Sequence, residues 1–150
     1  MNSIEKQIRD TYEKAFYDSI DNEINSKNPD YDWIVSLYSE IKNRIIKYVK
    51  KTSKTYKQID EEFDIELFRQ MIENDVFNMD SLLNLINNTY KWVEQLQAPI
   101  RDAESRESKQ RVLSTSPDKL VSTFIKEVNK CIDFLDEDFL NFVETKQNGD

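Results

Sequence analysis

The chain has 150 residues, 38% of them hydrophobic, with 21 lysines and arginines against 29 aspartates and glutamates and a net charge of −8. A chain of this length is most simply one domain, able to bury roughly 68–70% of its unfolded surface without disulfides or metals. The acid excess argues against nucleic acid or an anionic membrane as the main partner, because both reward a cationic face.

Single residue types exclude more. Histidine is absent, and the one glycine, Gly149, sits in the tail. Phosphate-cradling loops need glycine for tight turns and close backbone approach, so Walker-type and dinucleotide-binding loops are missing. Without histidine the usual proton shuttle and the Ser–His and Cys–His nucleophilic pairs are gone. One cysteine, Cys131, makes no internal disulfide and fits a reducing intracellular compartment, cytoplasm or nucleus. Its place between Val128 and Leu135 predicts an inert buried thiol. No apolar run approaches the ~20 residues needed to cross a bilayer. Met1 to Lys6 lacks the apolar core of a secretory signal.

In chain order the periodicity is helical throughout. Asn2 with Glu5 resembles a capping box, and Ile4, Ile8, Tyr12, Phe16, Ile20 and Ile24 are read as one apolar stripe of a first helix. Asn28-Pro29 ends it. Asp30 caps a second helix whose stripe runs from Trp33 and Ile34 through Leu37, Tyr38, Ile41 and Ile45 to Tyr48 and Val49. A short helical turn follows at Lys57–Glu62. Asp64 then caps a helix expected to bury Leu67, Phe68, Met71 and Ile72. Asn78 or Asp80 starts another, carrying Leu82, Leu83, Ile86, Tyr90, Val93 and Leu96.

Residues 101–116 are polar and read either as a solvent-washed helix with a Glu107–Arg111 pair or as a flexible linker. Ser116 and Pro117 form a strong start signal for a last helix, with Leu120, Val121, Phe124, Ile125, Val128, Ile132, Leu135, Phe139 and Phe142 on its apolar side. The expected fold is all-α: an irregular bundle of six or seven helices closed by a long C-terminal helix. It forms a single domain over 1–146 with a disordered tail at 147–150.

Three charged groups are candidate sites. Arg44, Lys47, Lys50, Lys51, Lys54 and Lys57 with Tyr48 and Tyr56 form the basic stretch, where interleaved aromatics could grip single-stranded nucleic acid. The ordinary explanation is cations complementing a helix C-terminus. Lys50-Lys51-Thr52-Ser53 in the same place resembles a basophilic kinase site. Asp60, Glu61, Glu62, Asp64 and Glu66 could hold a hard cation, but the glycine that bends a calcium loop is missing. Asp133, Asp136, Glu137 and Asp138 read as a solvated outer face of the last helix, or as a docking surface for a basic partner.

The segment "LQAPIRD" at 96–102 reads as a joint. Pro99 cannot continue a helix, and Ala98 must extend before it. Arg101 would reach carbonyls at a helix end, or a carboxylate, and Asp102 would cap the next helix.

This segment is similar to the Leu-x-Ala-Pro-Val-Arg-Asp signature of the T-complex protein 11 family. "PDYDWIVSLYSEIKNRI" resembles the family's Pro-Asp-Tyr helix, and "IDEEFDIELFRQMIENDVFNMDSLLNLI" its acidic turn followed by two helices. "FLDEDFLNF" matches the family's Leu-x-x-x-Asp-x-x-Asn-Phe ending, with Asp138, Asn141 and Phe142 on the matching positions. The likeness covers roughly residues 29–143. It implies an intracellular, all-helical protein without known catalytic activity or cofactor, associated with modulating cAMP-dependent protein kinase signalling. Family members usually continue further, so the chain resembles their N-terminal portion.

The expected function is thus a non-enzymatic interaction or regulatory module with a protein partner. The alternatives are a structural subunit of a larger assembly or homodimer and, third, a carboxylate-based hydrolase.

Overall fold

The computed structural model describes the backbone of residues 3–149 and the side chains of residues 3–145. Asn2 of the expected capping box lies outside the described residues, as does Asp150. Seven α-helices account for nearly all of it, with no strand among the described residues: α1 (Ser3–Ile24), α2 (Tyr31–Ile46), α3 (Lys54–Glu62), α4 (Ile65–Glu73), α5 (Met79–Leu96), α6 (Asp102–Leu113) and α7 (Leu120–Gly149). Short 3-10 turns, Pro99–Arg101 and Pro117–Lys119, lead into the last two. The expected all-helical bundle with a long C-terminal helix is what forms.

The helix starts are set by local side chains. Asp30, Ser53 and Asp64 each accept from a backbone N–H three residues on, at 3.0–3.1 Å. Asn78 and Ser81 form a reciprocal capping box at the start of α5. Ser116 stands before Pro117, but its hydroxyl makes no capping bond, and Pro117 alone sets the turn.

The 30 residues of α7 span roughly 45 Å, and α1, α2, α5 and α6 all pack on it. Its buried stripe of Phe124, Val128, Ile132 and Leu135 meets Ile41 and Ile45 of α2, Ile86, Tyr90 and Val93 of α5, and Val112 of α6 in one core. Cys131 is a buried free thiol. The backbone is helical through Gly149.

Two expectations fail for clear geometric reasons. In α1 only Ile20 is buried, whereas Ile4, Ile8, Tyr12 and Phe16 are exposed. Every residue from 3 to 16 is exposed, whichever face of the helix it lies on, so the first half of α1 stands clear of the core and the helix joins it only near Ile20.

The polar segment after 101 is neither a linker nor fully solvent-washed. Along α6, Ser105, Ser108 and Val112 are buried against the body of the protein. Small hydroxyl side chains let backbones approach closely, so the burial leaves no hydrophobic signature. Arg111 turns to Glu127 on α7, with Nε and Nη2 donating at 3.1 and 3.0 Å, in place of the expected pair with Glu107. Leu67 is also corrected: Phe68 is the buried residue of α4, and Leu67 lies exposed.

Candidate functional site

The proline joint is built as a clasp between the α5–α6 corner and α7. Ala98 is extended (φ −65°, ψ 142°), and Pro99 opens the 3-10 turn. Arg101 then donates twice to Asp138, Nε to Oδ2 at 3.2 Å and Nη2 to Oδ1 at 3.0 Å, and once to Glu104 at 3.2 Å. Its guanidinium also lies 4.4 Å from the centre of the Phe134 ring. The hydrogen bond from Arg101 to Asp138, with Glu104 in support, raises the arginine further above its ordinary value. Asp102 does not cap α6. Its Oδ1 accepts from Gln97 Nε2 at 2.9 Å, and the same amide donates to Ser105 at 2.8 Å, so Asp102 ties the corner back onto α5.

The acidic group on α7 is only in part a solvated face: Asp133 and Glu137 are exposed, whereas Asp136 and Asp138 are half-buried. Asp133 and Asp136 both accept from Arg44 Nη2 at 2.8 Å, and Asp136 also takes Lys47 Nζ at 3.1 Å and the Tyr48 hydroxyl. Burial opposes ionisation of Asp136, but the bonds from Arg44 and Lys47 outweigh it and hold the carboxyl below its ordinary range. Asp138 stands two residues on, about 200° around the helix, which is why it meets Arg101 on another side. Glu137 remains exposed.

The basic stretch is therefore split. Arg44 and Lys47 are committed to α7, whereas Lys50, Lys51 and Lys54 stay exposed. The second acidic group is dispersed too. Asp60 pairs with Lys42 at 2.7 Å, Glu62 with Lys91 at 3.0 Å, and Asp64 caps α4. Among the described residues no three His, Cys, Asp or Glu converge to hold a metal ion. Asn141 and Phe142 lie on the exposed end of α7, beyond the joint.

A buried polar chain links α5, α6 and α7. Ser108 donates to Glu127 Oε2 at 3.0 Å, so its oxygen receives the Tyr90 hydroxyl at 2.7 Å. Burial opposes the Glu127 charge; Arg111 and Ser108 more than offset this and pull the carboxyl below its ordinary range. Burial raises both Tyr90 and Cys131 beside this chain, leaving neither poised as a nucleophile at neutral pH.

A feature absent from the sequence reading is an open apolar cavity of about 350 Å³ where helix ends converge. Its walls are Ile34, Tyr38 and Ile41 of α2, Phe68 and Ile72 of α4, Leu82 and Leu85 of α5, and Phe124 and Ile125 of α7. Tyr38 stacks on Phe68 with ring centres 4.1 Å apart, and Phe77 meets Phe68 edge-on at 5.3 Å. The mouth is formed by Ile24, Pro29 and Tyr31 on one side, Asp75 and Met79 on another, and Pro117 on a third. Its volume lies within the ~300–1,000 Å³ of ordinary ligand pockets. A signal was available in sequence: Val76 and Phe77 are apolar residues in the connection between α4 and α5.

These features define an all-helical protein whose ionic clasps lock α7 and which holds an apolar concavity between α2, α4, α5 and α7. The chain belongs to the T-complex protein 11 family, whose model matches residues 1–143, extending the likeness read from the motifs to include α1. That family is not known as an enzyme family. No solved structure matches the chain significantly. No helix among the described residues is long and apolar enough to cross a membrane.

Proposed function

We propose that the protein is a non-enzymatic helical interaction module of the T-complex protein 11 type that presents an open apolar groove to a protein partner. The observation carrying this reading is the cavity between α2, α4, α5 and α7. Aliphatic and aromatic side chains dominate its walls, and Asp75 is the one charged residue lining it. Shape and apolar contact are what such a wall offers; a lone rim carboxylate supplies no acid–base pair for a hydrolase. By resemblance to its family, the module acts on cAMP-dependent kinase signalling through that groove.

Immobilised protein offered the purified regulatory and catalytic subunits of that kinase tests both parts, with Met79→Glu at the mouth and Lys109→Glu on α6 as control. Retention lost with Met79→Glu alone supports the reading. Retention indifferent to Met79→Glu rejects the groove, and no retention at all rejects the kinase.

The outward half of α1 favours a second reading, a subunit of a larger assembly or a homodimer. Ile4, Ile8 and Tyr12 are 67%, 52% and 74% exposed, a large apolar outlay on one helix. Light scattering over a concentration series tests it: Ile8→Glu dissociates a dimer that the unaltered chain forms, whereas a monomer at every concentration removes this reading.

A further inference from the structure

We infer that the occupant of the apolar groove is a basic amphipathic helix, an inference that rests on the groove reading above and adds the chemistry of the partner. Asp75 lines the cavity, and the stretch from Glu73 to Asp80 around it carries two further carboxylates, Glu73 and Asp80, and no cation. Arg69 engages Glu73 at 3.3 Å, but Asp75 and Asp80 are exposed and have no ion pair among the described residues. The two other segments at the mouth are balanced: Lys27 offsets Asp30, and Lys119 offsets Asp118. Helix dipoles do not change the sign. The C-termini of α1 and α4 converge here with the N-termini of α2 and α5, so their end charges oppose one another.

The mouth therefore combines an apolar floor with a one-sided acidic lip. A ligand that buries an apolar face while leaving cations along one edge satisfies both. An amphipathic helix does so through anchors at i, i+3 or i+4 and i+7, with lysines or arginines flanking them. An acidic helix of the same shape would bring its carboxylates against Asp75 and Asp80, and the like charges would repel. A plain fatty acid would place its carboxylate at a mouth whose lining includes no cation.

Amide spectra of the isotopically labelled full chain test this with four probes. These are a short helical peptide of Lys and Leu in amphipathic order, the same peptide with Glu for Lys, the basic peptide with its leucines scrambled, and dodecanoate. The expected result is that the basic amphipathic peptide shifts Ile72, Phe77 and Leu82. The paired variant Asp75→Asn with Asp80→Asn, which keeps residues tolerant of the local backbone, should weaken it about three- to tenfold at low salt.

If the acidic peptide occupies the same residues as tightly, the basic class is wrong and the groove reading survives. If the scrambled basic peptide binds equally, or the paired variant changes nothing, charge matching at this lip is refuted. If no amphipathic peptide perturbs the groove of the folded chain, the inference and the groove reading fall together. Dodecanoate binding alone would replace both with a small apolar ligand.

Discussion

Arg101 holds Asp138 through two hydrogen bonds, at 3.0 and 3.2 Å, across 37 residues of sequence. The fork geometry matters as well as the charge, since only a guanidinium presents paired donors to one carboxylate while stacking on a ring. Arg101→Lys should therefore lower the melting temperature nearly as far as Arg101→Ala. Adding Asp138→Asn to Arg101→Ala should cost little more. Additive losses in that double-mutant cycle, read by thermal denaturation, would mean the two groups act separately.

Close packing of α6 depends on small side chains. Ser108 is 2% exposed and fits between Tyr90 and Glu127. Ser108→Leu should destabilise by about 1–3 kcal/mol through overpacking, whereas Glu107→Leu, at an exposed position of the same helix, should stay within about 0.5 kcal/mol. Urea midpoints distinguish them.

The chain should lose stability in acid through Glu127 and Asp136. Both carboxyls sit below their ordinary values in the folded protein, opposed by burial and lowered by their hydrogen-bonded cations. Their contribution is complete above the unfolded values of roughly 4 and is lost as pH falls through the lower folded values. Glu127→Gln should cost about 1–3 kcal/mol at pH 7, towards the lower end because Arg111 is half exposed. It should also flatten the acid limb of stability against pH. An unchanged limb would mean that other groups govern it.

Asp75 holds φ at 57° directly after α4, where the Val76 N–H bonds to Met71 and the Asp75 N–H to Ile72. That pair of bonds is the Schellman ending, which favours glycine at the left-handed residue. Asp75→Gly should raise stability by about 0.5–1 kcal/mol. The same variant should weaken a basic peptide at the groove. A gain in both would show that the carboxylate has no part at the mouth.

The two ends of α1 should respond oppositely. Ile20, with no exposure, should cost about 2–5 kcal/mol on replacement by alanine. Tyr12→Ser should change monomer stability by no more than about 0.5 kcal/mol. A large loss at Tyr12 would place that ring against a neighbour within the chain.

What could be read in advance followed locality. Asp30, Asp64 and Asn78 were legible as caps because each bonds a backbone group three residues away. The α2 stripe, and the α7 stripe as far as Leu135, were legible because Leu, Ile, Val and Phe repeat near 3.6; Phe139 and Phe142, expected on the same side, are exposed beyond the core. Burial of α6 was not legible, because Ser105 and Ser108 carry no hydrophobic signal and close approach is a property of two helices at once. Trp92, 3% exposed and donating to Glu62, was missed because it sits beside the stripe containing Val93. At the joint, Arg101 was readable as seeking a carboxylate or a helix end, but its choice of Asp138 depends on how α7 is rotated. The cavity was least legible, since five chain segments must meet before it exists.

The two clasps on α7 have a mechanical consequence. Arg44 takes hold at 136 from α2, and Arg101 takes hold at 138 from the corner, on different sides of nearly the same turn. Greasy helix faces tolerate sliding by a notch; two opposed ionic pins at one level do not. Concentrated salt should therefore relax the axial register of α7 while its apolar stripe keeps the rod seated in the core.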